Sequence, residues 1–214
     1  MFATRHSGFA SPFGRAVLVA SLGGLQAFIT VLAGLPAAFP VPIVVVQHRR
    51  STSDGGDALA AVLDRKIGLP VRVAESGMPT QLPGVTVIPG ATTATIEPTE
   101  CWVLTDESRD RRPGDAVLAS SAGTAATIAV ILTGYLADGA EGCRVVKRLG
   151  GRVLVQDPAT ARAPSMPSNA IATGCADFVL PLERLSTALV ALAVAPGAAD
   201  LLTVPLPPWA RLGP

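Results

Sequence analysis

Between Arg15 and Arg49 the chain carries no Asp, Glu, Lys or Arg. A stretch that long and that apolar either crosses a membrane or forms the buried heart of an α/β sheet. Pro36, Pro40, Pro42, the Gly23-Gly24 pair and the polar Ser21 and Gln26 cut it into pieces too short to span a bilayer as one helix. The sheet reading is therefore preferred. Ala16 to Ala20 is a valine-rich run that breaks at Ser21-Leu22-Gly23-Gly24, the pattern of a buried strand entering a tight turn. Leu25, Phe28, Ile29 and Leu32 then recur at the spacing of one helix face, with Gly34 and Pro36 as stop signals. Val41 to Val46 is a second apolar run, ending at Gln47-His48. Strand, helix, strand predicts a right-handed βαβ unit with parallel strands. Ser21 and His48 then share the carboxyl rim of the sheet, where open α/β sheets bind ligands.

The rest of the chain extends this pattern. Arg49 to Asp57 reads as a polar loop in which Ser53 or Asp54 caps a helix marked by Leu59, Val62, Leu63 and Ile67. Strands are expected at Val71 to Ala74 and Val85 to Ile88, and Thr92 to Glu97 with Trp102 to Leu104 as an antiparallel pair, so that the middle third resembles a β-meander. A charged loop, Thr105 to Pro113, precedes a helix from Gly114 to Thr124. A second βαβ unit follows: strand Ala126 to Leu132, the loop Thr133-Gly134-Tyr135-Leu136-Ala137-Asp138-Gly139, helix Ala140 to Leu149 and strand Arg152 to Gln156. Asp157 to Pro167 reads as loop, Ser168 to Thr173 as a short helix, Phe178 to Leu180 as an edge strand and Leu182 to Ala193 as a closing helix. The expectation is a doubly wound, mainly parallel, Rossmann-like three-layer α/β domain over residues 15–195 with a small antiparallel hairpin region. Residues 1–14 and the proline-rich 196–214 read as tails.

Composition removes several function classes. A net charge of +1 with evenly spread Arg, Asp and Glu leaves no basic stripe for nucleic acid. Three separated cysteines, no CxxC and two histidines suggest neither a disulfide framework nor a metal site. The N-terminus has no apolar core of signal-peptide length, so a cytoplasmic location is expected. The SLGG turn lacks the full G-x-G-x-x-G fingerprint, no acidic residue ends the second strand, and no G-x-x-x-x-G-K-[ST] loop occurs. No nucleotide cofactor is expected.

An activated serine needs a base in hydrogen-bond reach and a third group that orients the base. His6 lies in the tail, so His48 is the available base for Ser21. Asp138, in the loop after an independent parallel strand, is the natural third member. Each residue also has a structural alternative. His48 fits a strand-end histidine bonded to a carbonyl, Asp138 fits an N-cap of the helix that follows, and Ser21 fits a helix cap or a phosphate-loop residue.

In their order and spacing, VASLGG, VVVQH, ESGMPTQLPGVTVIPG, ILTGYLADGAEG and RVLVQDPATARAPSMPSNAI resemble the catalytic domain of the chemotaxis protein-glutamate methylesterase (CheB) family. The resemblance runs from about Ala16 to Leu192. It implies a parallel α/β fold and hydrolysis of glutamyl γ-methyl esters on chemoreceptor helices, with glutamine deamidation in many members. It places the nucleophile at Ser21, the base at His48, the aspartate at Asp138 and oxyanion-binding N–H groups at Leu22 and Tyr135. The implied partner is a methylated, receptor-like helical protein, met without cofactor, nucleic acid or membrane insertion. Three departures stand out. Leu22 replaces the usual threonine, Leu136 replaces a glycine, and Arg112-Pro113-Gly114-Asp115 is what remains of a His/Arg-x-Pro-Ser-Val-Asp passage. With residues 1–14 alone before Arg15, a receiver domain and its switching in cis are not expected. Two other readings keep the fold: a non-catalytic scaffold, and a hydrolase of small esters.

Overall fold

The structure is a computed structural model that describes residues 11–49, 57–106, 112–195 and 197–198. Its centre is β1 (Arg15–Ala20), every residue of which is buried. Helix α1 (Gly24–Ala33) returns the chain to β2 (Ile43–Gln47), which pairs with β1 in parallel. Pro42 cannot donate to a ladder, which explains why β2 starts later than its apolar run. Helix α2 (Ala58–Lys66) leads to β3 (Val71–Val73) and β4 (Val85–Val87). Next come the hairpin strands β5 (Thr92–Ile96) and β6 (Trp102–Asp106) and helix α3 (Pro113–Thr124). Strand β7 (Thr127–Ile131), helix α4 (Ala140–Arg148) and strand β8 (Arg152–Gln156) form the second βαβ unit. Helix α5 (Ser165–Ala172), strand β9 (Phe178–Leu180) and helix α6 (Leu185–Val194) close the domain.

Seven strands form a sheet in the order β3-β4-β2-β1-β7-β8-β9, with β5-β6 apart. All pairings in the large sheet are parallel, and β5 with β6 is antiparallel. The alternation of side chains along a strand then assigns two cores. Ala16, Leu18, Ile43 and Val45 pack against α1, α2 and α6 through Phe28, Leu63 and Leu189. Val17, Val19, Val44 and Val46 pack on the other face against α3, α4, α5 and the hairpin, through Leu118, Val146, Met166 and Trp102. Each such fully buried Val, Leu or Ile contributes about 1.5–3 kcal/mol relative to exposure. The expected doubly wound three-layer α/β fold is what the chain adopts.

Three local expectations are corrected. The middle third is not a meander, because β3 and β4 pair in parallel within the main sheet. The turn-rich segment between them provides the crossover that parallel strands require, and it ties itself to β6 through Gly77 N–H to Trp102 O at 2.7 Å and Trp102 N–H to Met78 O at 3.0 Å. The cap of α2 is Asp57, whose Oδ1 accepts the Ala60 N–H at 3.0 Å; Ser53 and Asp54 lie outside the described residues. Helix α5 begins at Ser165 rather than Ser168, since Pro167 stands in the first turn, where a missing N–H costs nothing. Arg15, a boundary in the sequence reading, is fully buried and pairs with Glu100 at 2.6 Å while donating to Thr80 and Ser121.

Candidate active site

Strand β1 leads to β2 on one side and is joined by β7 on the other. The chain thus reverses its winding at β1, and open α/β sheets place their clefts at that point. In register, Ala20 faces Gln47 and Val19 faces Ile131. The residues just beyond these strand ends, Ser21, His48 and the loop 132–139, therefore emerge side by side on strands about 4.8 Å apart.

Backbone bonds to both neighbouring strands fix Ser21. Its N–H donates to Thr133 O at 3.0 Å, and its carbonyl accepts Gln47 Nε2 at 3.1 Å and the Gly24 N–H at 3.0 Å. Gly134 packs directly on it: a Cβ there would lie 2.9 Å from Ser21 Cβ and 2.0 Å from Met166 Sδ. His48 donates its N–H to Ala20 O at 3.1 Å. Its neighbour Arg49 anchors the strand end through an ion pair with the capping Asp57 and a bond to Ile88 O at 3.3 Å. His48 and Asp138 line one pocket of about 520 Å³ with Arg112, Tyr135, Leu136, Ser165 and Asn169. Ser21 is not among the lining residues; it sits half-buried at the adjoining strand end.

Asp138 is buried, and it does not cap the helix that follows it. That cap is Gly139, with φ 91° and no side-chain bond. The Asp138 carboxylate instead takes two N–H groups of α3, Gly114 to Oδ2 and Asp115 to Oδ1, each at 3.0 Å. Burial pushes its pKa up to about 6; the Gly114 and Asp115 N–H groups oppose the rise, the Asp115 charge adds to it, and His48 acts against it. His48 and Asp138 face the same pocket. Gly114 is what lets the carboxylate approach, since a Cβ there would stand 2.5 Å from Val19 Cγ1 and 3.0 Å from Asp138 Oδ2. Gly114→Ala is expected to lower kcat about 10- to 10²-fold by displacing Asp138, at a cost of about 1–3 kcal/mol in stability. Steady-state kinetics with thermal denaturation checks this, and an unchanged kcat would refute it.

The N–H groups of Leu22 and Tyr135 have no hydrogen-bond partner among the described residues. Thr133 braces the first of these segments, donating Oγ1 to Leu22 O at 3.0 Å. Leu136 adopts the left-handed conformation at φ 67°. Its carbonyl accepts Asn169 Nδ2 at 2.7 Å and Ser165 Oγ at 3.1 Å. That backbone region costs a non-glycine residue about 1–2 kcal/mol, and the leucine is 73% exposed, so little burial repays it. Leu136→Gly is expected to stabilise the protein by up to about 1 kcal/mol, readable as a higher denaturation midpoint; a lower one would contradict the strain. Leu22, Leu25, Tyr135 and Leu136 are all exposed beside the site and give its mouth an apolar rim.

The sequence reading named Ser21, His48 and Asp138, together with the N–H groups of Leu22 and Tyr135, but missed their supports. Gln47, Thr133, Gly114, Asp115, Ser165 and Asn169 hold the loops. One signal was available: Pro113 marks a helix start, whose open N–H groups need an acceptor from somewhere.

The profile of the CheB methylesterase family matches residues 16–189. A relative from Leptospira interrogans is 34% identical over 82% of this chain and 93% of its own length. Protein-glutamate methylesterase FrzG of Myxococcus xanthus is 37% identical over 84% of this chain, and the match covers 54% of that protein. The crystal structure of the Thermotoga maritima CheB methylesterase catalytic domain superposes with a TM-score of 0.76 at 34% identity, over 84% of this chain and 98% of that one. Among the described residues no helix is long and apolar enough to cross a membrane. Agreement in sequence, topology and extent shows that this chain belongs to the CheB methylesterase family of esterases.

Proposed function

We propose that the chain hydrolyses glutamyl γ-methyl esters on a receptor-like helical protein, with Ser21 as nucleophile, His48 as general base and acid, and Asp138 as the group that orients His48 and balances its charge. Ser21 Oγ attacks the ester carbonyl while His48 takes the hydroxyl proton. The oxyanion formed is held by the Leu22 and Tyr135 N–H groups, each such donor being worth about 3–4 kcal/mol. Collapse breaks the bond to methoxide, which leaves as methanol with the proton from His48. Water, deprotonated by His48, then attacks the acyl-enzyme and releases the glutamate carboxylate and Ser21. The same steps on a glutamine side chain release ammonia and amount to deamidation.

The observation that carries this reading is the convergence of three neighbouring strand ends on one rim, with His48 and Asp138 lining one pocket there. The apolar rim suits a protein substrate, since exposed apolar patches mark interaction surfaces. The domain itself is read as residues 15–195. Methanol release from receptor cytoplasmic helices carrying labelled glutamyl methyl esters tests the proposal. Release above background is expected; none, under conditions where an active family member empties the substrate, would overturn it.

A further inference from the structure

Two helix N-termini meet beneath the rim, and each is capped by a carboxylate from beside the other. Asp138, in the loop leading into α4, accepts the N–H groups of Gly114 and Asp115 in the first turn of α3, both at 3.0 Å. Asp115, in that same first turn, returns its Oδ1 to the Gly142 N–H in the first turn of α4 at 2.7 Å. An acidic residue at the third helical position ordinarily reaches back to its own helix's N-cap. Here neither aspartate serves its own helix. The two caps form a closed exchange between α3 and α4, so displacing one loosens the other.

Helix capping accounts for only one oxygen of Asp115. Oδ2 is buried without a hydrogen bond among the described residues, and Arg112 Nη1 stands 3.9 Å from it. An asparagine or serine would cap Gly142 without stranding a carboxylate oxygen. A second carboxylate beside Asp138, half-buried and with one oxygen shielded from solvent, is therefore a poor choice for stability alone. Such arrangements cluster where charged groups are held for chemistry.

We propose that Asp115 is a positioning residue of the esterase, holding the Asp138 carboxylate in place for His48 through this reciprocal pair of caps. The proposal rests on the triad reading given above. Asp115 itself touches no reacting atom. The groups facing Asp138 are His48 from the end of β2 and Asp115 from α3, while Arg112 and Glu141 act on Asp115. The Asp115 charge favours the protonated form of Asp138, so its removal eases ionisation of Asp138.

Asp115→Ala and Asp115→Asn test this, read by the rate at which a fluorophosphonate labels Ser21 across pH and by amide hydrogen exchange. Asp115→Ala is expected to slow labelling about tenfold and to raise exchange at the Gly114 amide about tenfold. Reciprocally, Asp138→Ala should raise exchange at Gly142. Asp115→Asn keeps the acceptor, so labelling should return to near the wild-type rate, with its acid limb moved to lower pH. A cap that served Gly142 alone would leave both the plateau labelling rate and the Gly114 amide of Asp115→Ala unchanged. Wild-type labelling and an unmoved limb in both variants, or an unchanged Gly114 amide in Asp115→Ala, would overturn the proposal. Should Asp115→Ala fail to fold, the Gly142 amide of Asp138→Ala decides, and unchanged exchange there would overturn the reciprocal pair. No labelling of the wild-type protein would overturn the triad reading and the catalytic half of this proposal with it. Labelled wild type beside an indifferent Asp115→Ala would overturn only the role of Asp115.

Discussion

Ser21→Ala and His48→Ala are each expected to abolish single-site labelling by a fluorophosphonate and to reduce ester turnover by about 10⁶-fold, the scale seen when a nucleophile or its base is removed from a triad. The two losses should not add, since both residues serve one step. The backbone bonds that fix both residues do not depend on their side chains. Ser21 is fixed by its backbone N–H and carbonyl, which alanine keeps, and the His48 N–H to Ala20 bond likewise survives substitution. Denaturation midpoints should therefore stay close to that of the wild type. Mass spectrometry after probe exposure is the measurement: one adduct on Ser21 in the wild type, and none in either variant. Full labelling of His48→Ala would remove His48 from the mechanism.

Asp138→Asn is expected to lower kcat by about 10⁴-fold, as in other triads where the amide orients the histidine wrongly. Its effect on stability runs differently, and the sign follows from burial. The Asp138 pKa rises from 3.8 to about 6 in the folded protein, so the native state holds the proton more tightly than the unfolded chain. The stability this lends is fully present below about pH 4 and is lost as pH rises through about 6. At neutral pH the buried charge costs about 3 kcal/mol. Asparagine removes that charge but leaves one of the two α3 N–H groups without an acceptor, at a cost of about 1–3 kcal/mol. At pH 8 the variant should melt within a few degrees of the wild type, and between pH 4 and 7 its stability should vary less. The proposed mechanism uses the ionised Asp138 carboxylate, so wild-type kcat/KM should climb through about pH 6. Turnover within tenfold of the wild type in Asp138→Asn would exclude Asp138 from the triad.

Much of this molecule was legible in its sequence, for specific reasons. The uncharged run from Ala16 to His48 could only be parallel strands and a helix buried on both sides, because its Pro and Gly residues forbid one continuous span. Parallel strands point their carboxyl ends the same way, so the shared rim of Ser21, His48 and the Asp138 loop followed from the strand ends, while the roles proposed for them came from the family resemblance. The hairpin of β5 and β6 was legible from alternation. The placement of β3 and β4 was not, since three-residue strands carry too little pattern to distinguish a parallel member of the large sheet from a meander. The start of α5 was obscured by Pro167, which reads as a break unless its position in the first turn is known.

What the sequence determined by itself is the layer architecture and the rim on which Ser21, His48 and Asp138 gather, because burial and strand direction are local consequences of residue order. What only the tertiary structure decided is how those side chains are held. The structural alternative for Asp138 was the cap of the helix after it, yet it accepts from α3, and Asp115 serves α4 in return. Arg15 read as the edge of an apolar run, yet it is buried with Glu100, 85 residues away in sequence. Leu136 read as an intrusion into a glycine loop, yet it takes the glycine's conformation with its carbonyl pinned by Ser165 and Asn169. In each case the partner lies on another element. Hydrogen bonds and ion pairs depend on distances of a few ångströms, and local pattern carries no record of which distant residue arrives there.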